Sequence, residues 1–332
     1  MFTLKKNIAI VLTLLLTFTF ILQGCSSNGA SGNNDEELKT IRLDYAYYSP
    51  ASLILKHHGW AEEEFGKDGV KVEWTLSQGS NKALEFLTSN SIDFGSAAGA
   101  ATLITKTKDV PIKNIYIAST PEWTALLTKD PSIQKVEDLK GKKVAATYGT
   151  DPYIFLLRAL NEAGLSEKDI QFVNLQHQDG YQALLKGDVD AWAGLDPIMA
   201  TAELKGGAKI FYRNIDFNTY NFLNVRKEFA EKHPEAVEKV IRLYEKARAW
   251  ILEHPEETAE IIAKEAQIDL DVAKKQLDRT KFDVYIPSDE QKEALHAAGD
   301  ILQKAGVIDQ KADLTKHIDE LIDPSFAEKA SK

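Results

Sequence analysis

Three short segments of the sequence have the residue types that bind a small solute without reacting with it. They are residues 47–50, 96–101 and 146–152, and each joins a strand-like run to a helical pattern. The first N–H groups of a helix lack partners within the helix, and small side chains let a ligand approach them closely. The predicted ligand-binding residues are Tyr47, Tyr48 and Ser49 in the first segment, Ala98 and Gly99 in the second, and Gly149, Thr150 and Asp151 in the third.

Aromatic side chains near these segments are candidates for the apolar wall of the same site. An aromatic residue also suits a hydrophobic core, and Asp151 also suits the cap of its own helix, so the sequence leaves both interpretations open. The aromatic candidates are Tyr47, Tyr48, Trp123, Tyr148 and Trp192.

The sequence lacks the residue patterns of an enzyme active site. None of the seven histidines stands at a metal-ligand spacing from another histidine, a cysteine or a carboxylate. His57 and His58 are adjacent on a predicted helix, where they point about 100° apart and cannot readily chelate one ion together. The sequence contains no phosphate loop, nucleophile elbow or dinucleotide fingerprint. We therefore expect a binding protein with no metal, no cofactor and no catalytic residue.

The elements that must position the three segments alternate along the chain. Helical patterns such as residues 52–65 and 152–163 separate short apolar runs, which are residues 41–47, 70–76, 92–95, 112–118, 143–146 and 170–175. This alternation predicts mostly parallel sheets flanked by helices. Ligands bind outside the carboxyl ends of such strands, so the three segments should lie on one side. A weak repeat of residues 87–93 at 184–190 suggests two lobes of similar build.

The last third of the sequence is predominantly helical. Apolar residues recur at helical spacing over residues 234–251, Pro255 restarts a helix, and residues 288–305 form another that ends before Gly306. We expect these helices to pack on the first lobe as scaffold.

The chain begins with the features of an exported lipoprotein. Lys5 and Lys6 precede an apolar run over residues 8–22, and Gly24 precedes Cys25, the only cysteine. A charged region followed by an apolar region is typical of a signal peptide, and Leu-Gln-Gly-Cys resembles the bacterial lipoprotein cleavage motif. Residues 1–24 are therefore predicted to be a signal peptide, Cys25 the lipidated, palmitate-bearing residue, and residues 25–39 a flexible tether.

Net charge argues against nucleic acid as a partner. The formal charge is −10, and removing residues 1–24 leaves 38 basic against 50 acidic residues, or −12. Such a surface repels phosphates and anionic lipid headgroups. Contact with the membrane is expected only through the lipid anchor, on the outer face of the cytoplasmic membrane.

Four motifs of the sequence resemble the substrate-binding proteins of sulfonate, taurine and nitrate ABC importers. The ordered set extends from about Ile41 to past Pro287, and its motifs are Asp-Gly-Val-Lys-Val-Glu-Trp at 68–74, Ser-Ile-Asp-Phe-Gly at 91–95, Asp-Leu-Lys-Gly-Lys-Lys-Val at 138–144 and Gly-Asp-Val-Asp-Ala-Trp at 187–192. The resemblance implies a type II periplasmic binding fold of two α/β lobes that close on a ligand between them.

The resemblance also implies domain bounds, partners and a site. Lobe one would comprise residues 40–120 and 222–332, lobe two residues 121–221, with chain crossings near 119–122 and 219–224. The ligand's anionic head would lie on the turns at Tyr47 to Ser49, Ala97 to Gly99 and Gly149 to Pro152, near Trp192. The expected partners are a small solute, an ABC permease and its ATPase subunit, with the binding protein itself a monomer.

Two departures from the family pattern leave the ligand open. Asp196 and Pro197 lie between Leu195 and Ile198, where the family commonly has aromatic residues, and Asp196 is a further candidate for the site. Asp151 places a carboxylate where sulfonate binders usually have a neutral residue, which favours a zwitterionic, taurine-like ligand or a different solute. The alternatives are a thiamine pyrimidine precursor or another small heterocycle and, in a different class, a pyrimidine-synthase-like enzyme on the same fold.

Overall fold

The computed structural model describes residues 37–331. Within this range the chain forms eleven strands, which are β1 (Thr40–Tyr45), β2 (Lys71–Leu76), β3 (Phe94–Ala98), β4 (Ile112–Pro121), β5 (Thr124–Thr128), β6 (Lys143–Ala146), β7 (Gln171–Asn174), β8 (Ala191–Leu195), β9 (Lys209–Tyr212), β10 (Asn221–Arg226) and β11 (Thr280–Lys281). The predicted signal peptide, Cys25 and most of the predicted tether lie outside the described residues.

Fourteen α-helices accompany these strands in the part of the chain that the structure describes. They are α1 (Pro50–His57), α2 (Trp60–Gly66), α3 (Ser80–Thr88), α4 (Gly99–Lys106), α5 (Asp151–Glu162), α6 (His177–Lys186), α7 (Ile198–Leu204), α8 (Lys227–Lys232), α9 (Pro234–Glu253), α10 (Pro255–Ala266), α11 (Leu270–Asp278), α12 (Asp289–Lys304), α13 (Leu314–Leu321) and α14 (Ser325–Ala330). Short 3₁₀ helices occur at Val136–Leu139, Glu167–Asp169 and Ile215–Phe217.

The strands form two separate sheets, which confirms the predicted two-lobed α/β fold. The first sheet has the order β11-β4-β10-β3-β1-β2, and the second has the order β7-β6-β8-β5-β9. Four of six strands in the first sheet and four of five in the second run in the same direction, as their pairings require. The exceptions are β5, β10 and β11, which lie where the chain passes between the sheets.

Alternation along the central strands divides the core of the first sheet into two layers. Phe222 of β10 packs in the layer that includes Leu103 and Leu295, whereas its neighbour Leu223 packs in the layer that includes Val240. Successive side chains of a strand point to opposite faces, so one strand supplies both layers. Helices α4, α12 and α13 cover one face and α1, α9 and α14 the other, so α9, α12, α13 and α14 pack on lobe one as expected, whereas α11 also contacts α7 of lobe two.

One predicted helix is divided in the structure. The sequence pattern predicts a helix over residues 52–65, but α1 ends at His57 and α2 starts at Trp60. Gly59 separates them with a φ of 65°, a left-handed conformation that glycine adopts without steric penalty. The apolar pattern continues across the break because both helices bury residues against the same layer, which is why periodicity alone did not predict it.

Six helices start within five residues of the end of a strand that runs in the common direction of its sheet. These helices are α1, α3, α4, α5, α6 and α7, which follow β1, β2, β3, β6, β7 and β8. Their first turns therefore lie at the carboxyl ends of the strands of both sheets, where parallel sheets bind ligands. No helix within residues 37–331 is long and apolar enough to cross a membrane.

Candidate ligand-binding cleft

The first turns of helices from the two lobes approach each other closely. A methyl group on Gly79, at the start of α3, would lie 2.9 Å from Nε2 of His177, the first residue of α6. A methyl group on Gly149, before α5, would lie 3.9 Å from Cβ of Asn81 in α3. The carboxyl ends of β2 in the first sheet and of β6 and β7 in the second therefore face each other.

Free backbone donors remain at the turn before α5. The N–H groups of Gly149 and Thr150 have no hydrogen-bond partner among residues 37–331. Gly149 has a φ of 74°, and the Thr150 hydroxyl donates to the carbonyl of Thr147 at 2.6 Å, which fixes the turn. Tyr148, 43% exposed, lies at the rim and packs on Tyr153. This turn presents amide donors as the sequence predicted; its contact with a ligand stays a prediction.

The turn at Ala98 and Gly99 has no such free donors. The N–H of Ala98 donates to Ser80 Oγ at 2.9 Å, that of Gly99 to the Tyr220 carbonyl at 3.1 Å, and that of Ala100 to Thr219 Oγ1 at 3.2 Å. A side chain on Gly99 would press on Phe222, 3.0 Å away. The small residues here allow close packing within the protein, which differs from the expectation that they expose backbone to a ligand.

The first segment is divided between core and cleft. Tyr48 is buried, and its hydroxyl donates to the Ser96 carbonyl at 2.8 Å while its ring packs edge-to-face on Trp123. The buried Ser49 hydroxyl accepts a hydrogen bond from Asn221 at 3.0 Å, so its own hydrogen has no partner in the described part of the chain. Tyr47 is half-buried, and its carbonyl accepts from Gln276 at 2.7 Å.

Asp151 connects α5 to both chain crossings. Its carboxylate accepts hydrogen bonds from Trp123 Nε1 at 2.7 Å, and from the Thr219 N–H at 2.8 Å and hydroxyl at 2.7 Å. These bonds replace the expected cap, because the carboxylate bonds residues of the crossings and not the first turn of α5. Burial raises the pKa of Asp151 to about 6, even though all three donors favour the charged form.

Trp192 and Asp196 lie at different depths of lobe two. Trp192 is fully buried, early in β8, and packs on Tyr181 within the core beneath the second sheet. The structure therefore does not bring it together with the turns, and its contact with a ligand stays a prediction. Asp196 follows β8, accepts from the N–H of Ala200 at 2.9 Å and pairs at 3.4 Å with Arg279, the residue directly after α11. Burial raises its pKa to about 7, opposed by Arg279.

Sequence reasoning missed two residues that lie where the lobes meet. Asn81 Oδ1 and His177 Nε2 are both buried and have no hydrogen-bond partner within the described residues. Burial lowers the pKa of His177 to about 3, so the ring is neutral at physiological pH. The signal for Asn81 was available, because Ser-Gln-Gly-Ser-Asn at 77–81 follows a strand and opens a helix, like the three segments that were selected.

The described residues contain no cluster of side chains suited to bind a metal ion. Within residues 37–331 there is no group of three or more histidine, cysteine, aspartate or glutamate side chains that would hold an ion. The polar groups described at the facing turns are amides, hydroxyls and a neutral imidazole. Such groups can bind a polar or anionic solute reversibly, with helix N-termini contributing partial positive charge.

Comparison with known proteins finds related sequences over most of the chain. Residues 54–258 match the family described as NMT1/THI5 like. A Bacillus subtilis protein named as an aliphatic sulfonates-binding protein is 31% identical over 323 residues, 96% of each chain. An Escherichia coli protein with the same name is 27% identical over 84% of this chain and 88% of its own. The Escherichia coli taurine-binding periplasmic protein is 26% identical over 60% of this chain and 63% of its own.

Solved structures have the same fold. The alkanesulfonate-binding protein SsuA of Xanthomonas axonopodis pv. citri, bound to MOPS, has a TM-score of 0.78 and 22% identity, over 85% of this chain and 98% of its own. The periplasmic aliphatic sulphonate binding protein SsuA of Escherichia coli has a TM-score of 0.72 and 26% identity, over 85% and 97%. The desulfurization enzyme DSZB also has this fold, with a TM-score of 0.65 and 13% identity, over 88% and 99%.

These comparisons confirm the resemblance that the sequence motifs indicated. The family match covers more than half of the chain, and the Bacillus subtilis relative aligns with nearly all of it. The chain therefore belongs to the NMT1/THI5-like family and has the two-lobed fold of the periplasmic binding proteins.

Proposed function

We propose that this protein is the extracytoplasmic solute-binding component of an ABC importer and that its solute is an aliphatic sulfonate or a taurine-like compound. The observation that carries the proposal is the meeting of both lobes at the turns before α3, α5 and α6, where unpartnered polar groups gather. A solute there would contact both lobes and stabilise the closed state. Support for a sulfonate comes from the names of the relatives that align over most of the chain.

The remaining features of the proposal concern organisation and location. Lobe one comprises residues 40–120 and 222–332, and lobe two residues 121–221. Within lobe two, Asp151 bonds Trp123 and Thr219, which lie next to the two crossings. Cys25 carries the lipid anchor on the outer face of the cytoplasmic membrane. The protein acts as a monomer that delivers solute to a permease and its ATPase subunit. Binding without turnover is proposed because the relatives similar over most of the chain have the names of binding proteins.

The direct test is calorimetric titration of the purified protein with taurine, alkanesulfonates, nitrate and an aminopyrimidine precursor of thiamine. We expect a sulfonate to bind and to raise the unfolding temperature, since a ligand at 100 times its Kd adds about 2.7 kcal/mol of stability. Binding of the aminopyrimidine alone would select the alternative solute class. Release of sulfite or another product from a bound compound would show catalysis and contradict the proposal of binding without turnover.

A matched pair of glycine variants connects binding to the cleft. Gly149 and Gly164 have φ angles of 74° and 70°, so alanine introduces a comparable backbone strain at both. Gly149 lies opposite Asn81, whereas a methyl group on Gly164 would touch nothing within 4 Å. We expect Gly149→Ala to weaken sulfonate binding and Gly164→Ala to leave it unchanged. Equal affinity of the two variants would place the solute elsewhere.

A further inference from the structure

His177 is a buried side chain with one unpartnered nitrogen. The residue is 2% exposed, its Nδ1 lies 3.1 Å from the Thr147 hydroxyl, and its Nε2 has no partner in residues 37–331. A buried polar atom without a hydrogen bond lowers stability, so a partner from outside the chain, such as water or a ligand, would stabilise it. The chemistry of a ligand at this position depends on whether Nε2 donates or accepts.

The hydrogen bonds of Thr147 decide this question. A threonine hydroxyl has one hydrogen, and Thr147 donates it to the Leu175 carbonyl at 2.7 Å. The contact with His177 must then use a lone pair of the hydroxyl, so Nδ1 of the imidazole carries the proton and donates. Since burial lowers the pKa of His177 to about 3, the ring is neutral and Nε2 presents a bare lone pair. Nε2 is therefore a hydrogen-bond acceptor.

A second acceptor approaches the same point from the other lobe. A methyl group on Gly79 would lie 2.8 Å from Asn81 Oδ1 and 2.9 Å from His177 Nε2, so the two atoms are close neighbours next to the Gly79 Cα and leave no room there for a further atom. The φ of Gly79 is 169°, an extended conformation open to any residue, so the missing side chain, and not a backbone requirement, is what lets the two atoms approach Gly79. Asn81 belongs to α3 and His177 to α6.

Two unpartnered acceptors this close together can share one hydrogen-bond donor that approaches them from the side opposite Gly79. We propose that the solute carries an ammonium, amine or hydroxyl group in addition to its anionic head, and that Asn81 and His177 bind this donor when the lobes close. This inference rests on the proposed function and narrows it to amino- or hydroxy-substituted sulfonates. A plain alkyl chain at this point would leave both acceptors buried and unpaired, which is strongly unfavourable.

Three sulfonates of equal chain length test the inference. Taurine carries an ammonium and isethionate a hydroxyl at the position where ethanesulfonate has only hydrogen, so calorimetric Kd values for the three measure the effect of adding the donor group. We expect at least one donor-bearing compound to bind about tenfold or more tightly than ethanesulfonate, the effect of one well-formed buried hydrogen bond. If taurine binds more tightly than isethionate, the preferred donor is a charged ammonium; if isethionate binds more tightly, it is a neutral hydroxyl.

Two variants assign this preference to the named residues. His177→Phe keeps a planar ring but removes Nε2, and Asn81→Ala removes Oδ1 at a partly exposed position where folding is least affected. The preference is the Kd of ethanesulfonate divided by the Kd of the tighter donor-bearing compound. In each variant we expect this ratio to fall below about threefold, while the Kd of ethanesulfonate changes less than that of the donor-bearing compound. The matched control is His58→Phe on the exposed end of α1, which should keep the wild-type preference. The ratio of Kd values within one variant is insensitive to its stability.

Different results would overturn the two proposals. If ethanesulfonate binds wild-type protein as tightly as taurine and isethionate, or if both variants keep the full preference, the donor inference is wrong and the proposed function stands. If the folded wild-type protein binds none of the three sulfonates, the proposed function fails, and the inference fails with it.

Discussion

Gly79 lies where α3 of lobe one meets α6 of lobe two, next to the candidate binding residues Asn81 and His177. A Cβ atom here would lie within 3 Å of acceptors from α3 and α6, a separation that a methyl group cannot occupy without moving one of them. The backbone of Gly79 is extended, so alanine introduces no torsional strain. An alanine at Gly79 would therefore obstruct closure of the lobes sterically without straining the backbone of the folded protein.

We predict that Gly79→Ala reduces solute affinity by about tenfold or more and changes the unfolding temperature of the unliganded protein little. The physical reason is that the methyl group occupies the space between Asn81 and His177 and keeps the lobes apart in the liganded state. Calorimetric titration with the best sulfonate and a thermal melt without ligand check both parts. Gly66→Ala in α2 is the control, since a methyl group there meets nothing within 4 Å. Unchanged affinity in Gly79→Ala would contradict the assignment of the cleft.

At the residue scale, the sequence predicted local turn chemistry and missed long-range pairing. It predicted correctly that the turn at Gly149 and Thr150 has free amide donors. It did not predict that Ser80, Thr219 and Tyr220 use the amides of residues 98–100, because those partners are 18 to 121 residues away. The proximity of Asn81 to His177 was likewise not predictable from local patterns, since it exists only when two lobes fold against each other.

At the scale of elements, ion pairs join α11 to α7, the helix that follows β8 of the second sheet. Arg279, directly after α11, pairs with Asp196 at 3.4 Å and with Glu203, and Lys205 pairs with Asp271 at 2.9 Å. The Arg279 side chain is 11% exposed and that of Asp196 is 2% exposed, so solvent screens this pair weakly. The Arg279 carbonyl also accepts from the N–H of Glu122, which adds a contact with the first crossing.

We predict that Arg279→Ala lowers the free energy of unfolding by about 3 kcal/mol, because Asp196 and Glu203 lose a shared cationic partner in a buried setting. Urea titration followed by tryptophan fluorescence measures the change. Lys274→Ala on the same helix is the control, since its pair with Glu256 is solvent-exposed and should leave the midpoint unchanged. A similar, small shift of the urea midpoint in both variants would show that the ion pairs between α7 and α11 contribute little to the free energy of unfolding.

Elements were predicted better than their connections. Periodicity gave the long helix at residues 234–251 within two residues of α9, and Pro234 and Pro255 marked the starts of α9 and α10. The break at Gly59 and the reversed strands β5 and β10 were not predicted. Strand direction depends on how the chain returns between sheets, and a local pattern of apolar residues carries no information on it.

At the scale of the whole molecule, the proposed attachment to the membrane depends on Cys25. No helix among residues 37–331 is suited to crossing a bilayer, and the proposed anchor is a lipid on the only cysteine of the chain. We predict that Cys25→Ser moves the protein from the membrane fraction to the soluble extracytoplasmic fraction and abolishes labelling with palmitate. Ser26→Ala is the control and should stay with the membrane. Membrane retention of unlabelled Cys25→Ser would point to a different anchor.

The stability of the whole molecule should depend on pH through buried carboxyl groups. Burial raises the pKa of Asp44, which lies in β1 and accepts from the N–H of Ser96 at 2.9 Å, to about 7 from 3.8. The folded state thus favours the protonated carboxyl, and this contribution is complete below pH 3.8 and is lost as pH rises through about 7. His177 has the opposite sign, since its lowered pKa removes stability as pH falls below 6.5.

A comparison of wild type with Asp44→Asn isolates one carboxyl, because His177 and the other buried acids are present in both proteins. Asparagine mimics the neutral acid and does not titrate, so the stability of wild type relative to the variant should fall by about 2 to 3 kcal/mol between pH 5 and pH 8. Urea titrations of the unliganded proteins across this range measure the difference. Asp300→Asn, on the exposed face of α12, should show no such trend. A difference between wild type and Asp44→Asn that is constant with pH would mean that Asp44 is charged throughout this range, and that the bonds from Ser96 outweigh its burial.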